Sequence, residues 1–123
     1  MTDRYFEHQE LIKRFKLLCA KQIPNIRIFD RTVGKFYAKR VNDGMVKYIP
    51  MSINRKGMAD CYGLLKTDNG LMHLEFEFKS SLKAKQTPAQ ITWQQFIESM
   101  GGLYLVVRNE NIGIKDIREF IYG

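Results

Sequence analysis

The chain is short of cysteine, of acid and of long apolar runs, and each shortage removes a class of protein. Its two cysteines, Cys19 and Cys61, lie far apart, with neither a CxxC spacing nor a histidine pair nearby. A structural zinc site is therefore not expected, and two buried free thiols in a reducing compartment are. No apolar stretch approaches the ~20 residues that span a bilayer, so a membrane-embedded role is not expected. The opening MTDRYFEHQE is polar and lacks the apolar core of a secretion signal. These absences predict a cytoplasmic protein. Repeats, low-complexity segments and linkers are missing too, so the 123 residues are expected to form one domain, 1–123, around one core. Nothing calls for a small-molecule cofactor.

The shortage of acid is the informative one. Thirteen Asp and Glu face 20 Lys and Arg, a net charge of +7. That balance favours a polyanionic partner, either nucleic acid or an anionic surface. The cations are scattered through KRFK, AKRVNDGMVK, NRK and KSSLKAK rather than gathered in a tail. A folded basic surface is the expectation, not a basic arm.

Periodicity then supplies the elements. Leu11, Phe15 and Leu18 recur at helical spacing among Lys13, Arg14, Lys16 and Lys21, predicting a helix over 3–22 that Pro24 ends. IRIF reads as a strand. GKFYAKRV and MVKYIPM read as two strands joined at NDG, a hairpin signal. ADCYGLLK and LMHLEFEFK form a second strand pair around TDNG. Thr87 as N-cap, Pro88 at the first helical position and the Gly101-Gly102 pair bracket another helix, with Ile91, Phe96, Ile97 and Met100 as its apolar face. LYLVVR reads as a strand in the sheet interior, and IKDIREFIY as a short closing helix. The order α, several β, α, β, α predicts a mixed sheet flanked by helices, of the α/β or α+β kind.

The stretch LEFEFKS puts Leu74, Phe76 and Phe78 on one strand face and Glu75, Glu77 and Lys79 on the other. The TDNG turn sets what lies opposite. If Lys66 pairs with Leu71, Asp60 falls across from Glu77; if Asn69-Gly70 is a two-residue turn, Asp60 faces Lys79 with Glu77 diagonal. Either register gathers Asp60, Glu77 and Lys79 on one face. Two carboxylates ~5 Å apart, or ~7–8 Å on the diagonal, repel unless something positive lies between them. An oxygen-seeking divalent cation such as Mg²⁺ meets that need, and a neighbouring lysine can orient or deprotonate an attacking water. A plain solvated strand face carries Glu and Lys as well, so spacing alone does not decide.

At these residues the chain resembles a known family. RKGMADCYG, LEFEFKS and QTPAQITWQQFIESMGGLYLVVR, together about residues 55–110, resemble the VRR-NUC family, the virus-type replication-repair nucleases of the PD-(D/E)xK superfamily. The family's ordered features fall on Gly57, Asp60, Glu77, Lys79, Thr87-Pro88, Gln90 and Gly101-Gly102. The resemblance implies a PD-(D/E)xK, restriction-endonuclease-like α/β core: a mixed β-sheet flanked by helices. It implies an endonuclease dependent on Mg²⁺ or Mn²⁺, acting on duplex or branched DNA such as Holliday junctions. Asp60, Glu77 and the backbone carbonyl of Phe78 would hold the metal, Lys79 would activate or position water, and Gln90 would support the lysine or a phosphate.

The resemblance also implies a metal-binding glutamate on the first helix. Glu7 shares the stripe of Leu11 and Phe15 and is preferred slightly over Glu10. It further implies a homodimer and fits a phage or mobile-element origin. Arg55, Lys56, Lys83 and Lys85 are candidates for phosphate contact, or simply solvated loop residues. The chain departs from the pattern at Ala59, where the superfamily's name has proline, at Ala89, often acidic, and at Glu75, usually apolar or small. Glu75 is expected to be exposed or paired with a lysine, with metal binding through water as the alternative. His8 and His73 lack partners at ligand spacing and are read as structural, and Trp93 as core or an interface anchor. Two rival readings stand beside the nuclease: a nucleic-acid-binding module that does not cut, and a small assembly protein whose charged strand face is merely solvated.

Overall fold

A computed structural model describes the backbone of residues 3–31, 34–53 and 56–123, and the side chains of 6–31, 39–49 and 56–123. The chain runs α1 (Asp3–Gln22), β1 (Ile26–Asp30), β2 (Gly34–Asn42), β3 (Met45–Ile53), β4 (Cys61–Thr67), β5 (Gly70–Phe78), α2 (Pro88–Ser99), β6 (Leu103–Val107) and α3 (Glu110–Tyr122). One sheet has the order β1-β4-β5-β6, and β2-β3 form a separate two-stranded sheet. β1, β4 and β5 are antiparallel neighbours, and β6 lies parallel to β5. A parallel neighbour needs a crossover, and α2 is that crossover. The expected mixed sheet with flanking helices is present; it has four strands.

Strand β5 sits inside the sheet with both faces covered. Leu74, Phe76 and Phe78 turn to the larger core, where α1 contributes Leu11, Ile12, Phe15 and Cys19 and α3 contributes Ile114 and Ile117. The Phe15 ring meets the rings of Phe76 and Phe78 at centroid distances of 5.2 and 5.4 Å. A smaller cluster of Ala59, Ile97 and Tyr104, with Trp93 and Val106 against it, lies between α2 and the sheet. Glu75 and Glu77 alternate with the phenylalanines, so strand geometry sends them to this second face. Both cysteines are free and buried, and burial pushes each thiol up to about 12.

Local chemistry explains the boundaries. The turn at NDG places Asp43 and Gly44 at positive φ, 51° and 76°, the conformation a two-residue hairpin turn demands. α2 begins on a full capping box: Thr87 accepts from the Gln90 backbone N–H, and the Gln90 side chain accepts from the Thr87 backbone N–H. In the β4–β5 hairpin Lys66 faces Leu71, which is the first of the two registers considered. β4 starts at Cys61, however, so Asp60 stands just before the first ladder pair.

Three expectations need correction. β6 is an edge strand of the described sheet rather than an interior one. Its apolar run reflects cover on both faces, with Tyr104 in the cluster beneath α2 and Val107 in the larger core. On α2, Ile97 is buried while Ile91, Phe96 and Met100 are exposed, because the stripe facing the sheet runs through Trp93 and Ile97, four residues apart. α3 starts at Glu110, earlier than IKDIREFIY suggests, because Asn109 caps it by accepting from the backbone N–H groups of Asn111 and Ile112.

Gly113 shows how closely α1 and α3 approach. A Cβ there would lie 2.7 Å from a ring carbon of Phe15, whose ring is itself wedged against Phe76 and Phe78. Helix propensity alone would make Gly113→Ala stabilising by ~1 kcal/mol. Overpacking decides the sign instead, and urea denaturation should show a net loss of ~1–3 kcal/mol. A more stable variant would refute this packing.

Candidate metal and catalytic site

The residues singled out around Asp60 come from α1, the segment before β4, the end of β5 and the start of α2. His8, Asp60, Phe78, Lys79, Ser80, Ala84 and Gln90 line one open cleft of about 350 Å³. Asp60 reaches across to β5, where its Oδ2 accepts from the Phe78 backbone N–H at 2.8 Å. Its own carbonyl accepts from the Arg31 N–H at 2.9 Å. The carboxylate thus takes up a strand-edge donor just past the point where the ladder stops.

The segment carrying Asp60 is held from behind by Gly57. Its φ is +92°, and a Cβ would fall 2.5 Å from the Ala89 carbonyl oxygen. Only glycine allows that backbone conformation and that approach at once. The segment before Asp60 therefore sits on the first turn of α2, next to Gln90.

Glu77 is 1% exposed. Its Oε1 accepts from the Tyr104 hydroxyl. Burial and this bond push the tyrosine hydroxyl well above its ordinary range, so it stays protonated and donates. Glu77 Oε2 has no hydrogen-bond partner among the described residues, and the ammonium of Lys79 lies 3.7 Å from it. Lys79 in turn donates to Gln90 Oε1 at 3.1 Å. The same oxygen accepts from the Thr87 N–H at 2.8 Å. Gln90 thus closes the helix cap and holds the lysine ammonium through one oxygen.

The N-terminal helix brings a different residue from the ones expected. Glu7 is exposed and, with Glu10, Arg14 and Arg108, lines a neighbouring cleft that does not include Asp60. The residue of α1 that enters the Asp60 cleft is His8. Its Nε2 lies 3.0 Å from the Phe78 carbonyl oxygen and 3.3 Å from Asp60 Oδ2. The bond to Asp60 raises the imidazole pKa above its ordinary value. In the sequence His8 reads as structural; its place one residue from the favoured Glu7 is the available signal.

Each carboxylate therefore has its own cationic or donor partners: His8 and the Phe78 N–H for Asp60, Lys79 and Tyr104 for Glu77. Among the described residues no three His, Cys, Asp or Glu side chains form a group able to hold a metal ion. A cation here would rest on fewer side chains together with backbone oxygen. Of the proposed phosphate contacts, Lys56, Lys83 and Lys85 are exposed. Lys56 lines a cleft with Ala89, Thr92, Trp93 and Phe96. Arg55 lies outside the described residues.

Glu75 is fully buried rather than exposed, and its ion-pair partner is an arginine instead of the expected lysine. Arg31 donates to both of its oxygens, at 2.9 Å through Nη2. Trp93 Nε1 donates at 2.9 Å, and His73 bonds the remaining oxygen. Burial pushes the carboxyl up, but the bonds from Arg31, Trp93 and His73 outweigh it and hold the group below its ordinary value. The Arg31 guanidinium lies 4.9 Å from the Tyr62 ring centroid and 5.8 Å from that of Trp93. It also donates to the Ala59 carbonyl at 3.2 Å, beside Asp60. Arg31 lies some 30 positions before the motif residues and carries no motif of its own, so it went unnoticed in the sequence.

Among the described residues no helix is long and apolar enough to cross a membrane. Comparisons with family models, with curated proteins and with solved structures found no match.

Because Glu75 is depressed, its contribution to stability is present above the ordinary carboxylate range and is lost as pH falls through the folded value. Arg31→Met leaves the charge buried without its chief partner and should cost ~3–5 kcal/mol at pH 7. The orphaned carboxyl then protonates at higher pH, so the deficit should narrow on acidification toward pH 5. Urea melts across that range measure both effects, and a pH-independent deficit would count against the pairing.

Proposed function

We propose that this protein is a divalent-metal-dependent DNA endonuclease with a PD-(D/E)xK-like site. The observation that supports it most is the arrangement around Lys79: a mostly buried ammonium held by Gln90 and facing a buried oxygen of Glu77 that has no hydrogen-bond partner among the described residues. An unsatisfied buried carboxylate oxygen costs free energy in any fold, and a cation ligand is a reason to retain one. Asp60, Glu77 and the Phe78 carbonyl would hold the cation. The donor set is oxygen-rich, which fits Mg²⁺ or Mn²⁺.

When bound, the cation would supply charge to the phosphodiester being cut and to the leaving oxygen. The protein's own groups have separate tasks. Lys79, pinned by Gln90 against the capped start of α2, would hold or accept a proton from the attacking water. Tyr104 would fix the Glu77 carboxylate by donating to Oε1. Arg31 would hold the Ala59–Asp60 backbone through its two bonds there. Exposed Lys56, Lys83 and Lys85, with the net charge of +7, suit the phosphates of duplex or branched DNA. A homodimer, presenting two sites to one branched substrate, and an intracellular setting belong to the same proposal.

The separate neutralisation of Asp60 and Glu77 favours a second reading, a DNA-binding module on this fold that does not cut. Incubation with plasmid and with a four-way junction, in Mg²⁺ or Mn²⁺, decides between them. Wild type should nick, and Lys79→Ala should lose at least roughly 100-fold, the scale of a proton-transfer group. Glu77→Gln should be inactive while binding DNA as wild type does. If wild type and Glu77→Gln behave alike in both metals, the nuclease reading fails. DNA affinity that falls steeply with salt in an inactive wild type would leave the binding module.

A further inference from the structure

The β2–β3 ribbon forms a two-stranded sheet of its own, and such a ribbon has little stability in water without something to lie against. Every residue from Lys39 to Tyr48 is exposed, with Val41, Met45 and Tyr48 at 66, 63 and 65%. The register sorts these residues onto two faces. On one, Arg40 pairs with Lys47 and Asn42 with Met45; on the other, Lys39 pairs with Tyr48 and Val41 with Val46. Two cations directly opposite each other repel, and neither Arg40 nor Lys47 has an ion pair or hydrogen bond among the described residues. An anion brought between them removes that repulsion. The one acid in this stretch, Asp43, sits in the turn. The ribbon is inserted between Arg31, whose N–H bonds the Asp60 carbonyl, and Gly57, which seats on Ala89. It therefore leaves and rejoins the body beside the segment that carries Asp60.

From this placement we infer that the β2–β3 ribbon is an arm that lies in the major groove of duplex DNA, with its Arg40–Lys47 face turned inward. The arm presupposes DNA as the partner, as proposed above, but neither metal nor cleavage. The major groove of B-form DNA is about 12 Å wide and admits a two-stranded ribbon. The major groove of an A-form RNA duplex is too narrow for one. The floor of the DNA groove offers guanine O6 and N7 to Arg and Lys donors, and adenine N6 and N7 to an amide such as that of Asn42. A second copy seated on this face would bring two more cations to it. A bilayer would have to take in the Asn42-Asp43-Gly44 tip, which is polar and carries the acid. DNA is the occupant whose charge fits, and the arm makes the protein prefer duplex DNA to duplex RNA.

Binding is measured on the purified full chain at low salt, with a chelator present so that nothing is cut, by fluorescence anisotropy of a short labelled DNA duplex. Wild type should bind it more tightly than an RNA duplex of the same sequence. The double variant Arg40→Gln, Lys47→Gln should bind at least roughly tenfold more weakly. The double variant Val41→Thr, Val46→Thr, altered on the opposite face, should bind as wild type does. Methylation of guanine N7 in the duplex should weaken wild-type binding. Circular dichroism checks that the variants fold, and the methylation result stands independently of them. If wild type binds DNA yet the folded Arg40→Gln, Lys47→Gln variant matches it, or N7 methylation has no effect, the ribbon is not a groove arm and the DNA reading survives. Loss of binding in Val41→Thr, Val46→Thr with a fall from dimer to monomer overturns the arm in favour of a contact between copies. Binding to phosphatidylserine vesicles but not to DNA, abolished by Arg40→Gln, Lys47→Gln, overturns it in favour of a membrane surface. Failure of wild type to bind duplex DNA at low salt overturns both the arm and the DNA reading.

Discussion

Two carboxylates on one face of a central strand, both out of water, set the terms for everything around them. Glu75 and Glu77 are 0% and 1% exposed, and a buried charge is tolerated only with partners. The face beneath α2 accordingly sets donors and cations among the smaller apolar cluster of Ala59, Ile97 and Tyr104. Arg31, Trp93 and His73 serve Glu75; Tyr104 and Lys79 serve Glu77. The two carboxylates differ in how completely they are served. Both oxygens of Glu75 are bonded, whereas Glu77 retains one oxygen without a hydrogen bond among the described residues. Glu75 therefore reads as a fastening and Glu77 as a group with capacity left for a ligand.

The fastening reaches the site through the backbone. Arg31 bonds Glu75 with its side chain, the Ala59 carbonyl with the same guanidinium, and the Asp60 carbonyl with its own N–H. On the other side, Gly57 seats the same segment on Ala89, one residue from the glutamine that holds Lys79. Asp60 and Lys79 are thereby referred to one rigid reference, the first turn of α2, although one comes before β4 and the other after β5. The cleft opens at the carboxyl end of β5, outside the sheet, where open α/β sheets commonly bind their ligands.

Much of this was legible in the sequence because it depends on local rules. The alternation in LEFEFKS assigns Glu75, Glu77 and the phenylalanines to opposite faces before any tertiary contact is known. Thr87-Pro88 announces the cap, and NDG the turn. What stayed hidden depends on partners distant in the chain. Nothing near Arg31 signals that it will meet Glu75, and His8 carries only its place beside Glu7 as a hint of Asp60. The edge position of β6 was masked by its apolar composition, since cover on both faces and a place inside a sheet leave the same trace. On α2 the apolar residues outnumber the places the sheet offers, so Ile91, Phe96 and Met100 remain exposed while Ile97 is buried.

The contact between His8 and the Phe78 carbonyl joins residues 70 positions apart. Closing so long a loop is entropically expensive and is repaid only once the elements at both ends have docked. α1 must be seated through Phe15 against Phe76 and Phe78, and β5 must have β4 beside it, before the imidazole can meet its oxygens. A nascent or partly folded chain, even one with the β4–β5 hairpin complete, lacks this corner of the cleft. Assembly of the corner thus reports that the first and later parts of the chain have found each other, and whatever the cleft binds can recognise only the finished fold.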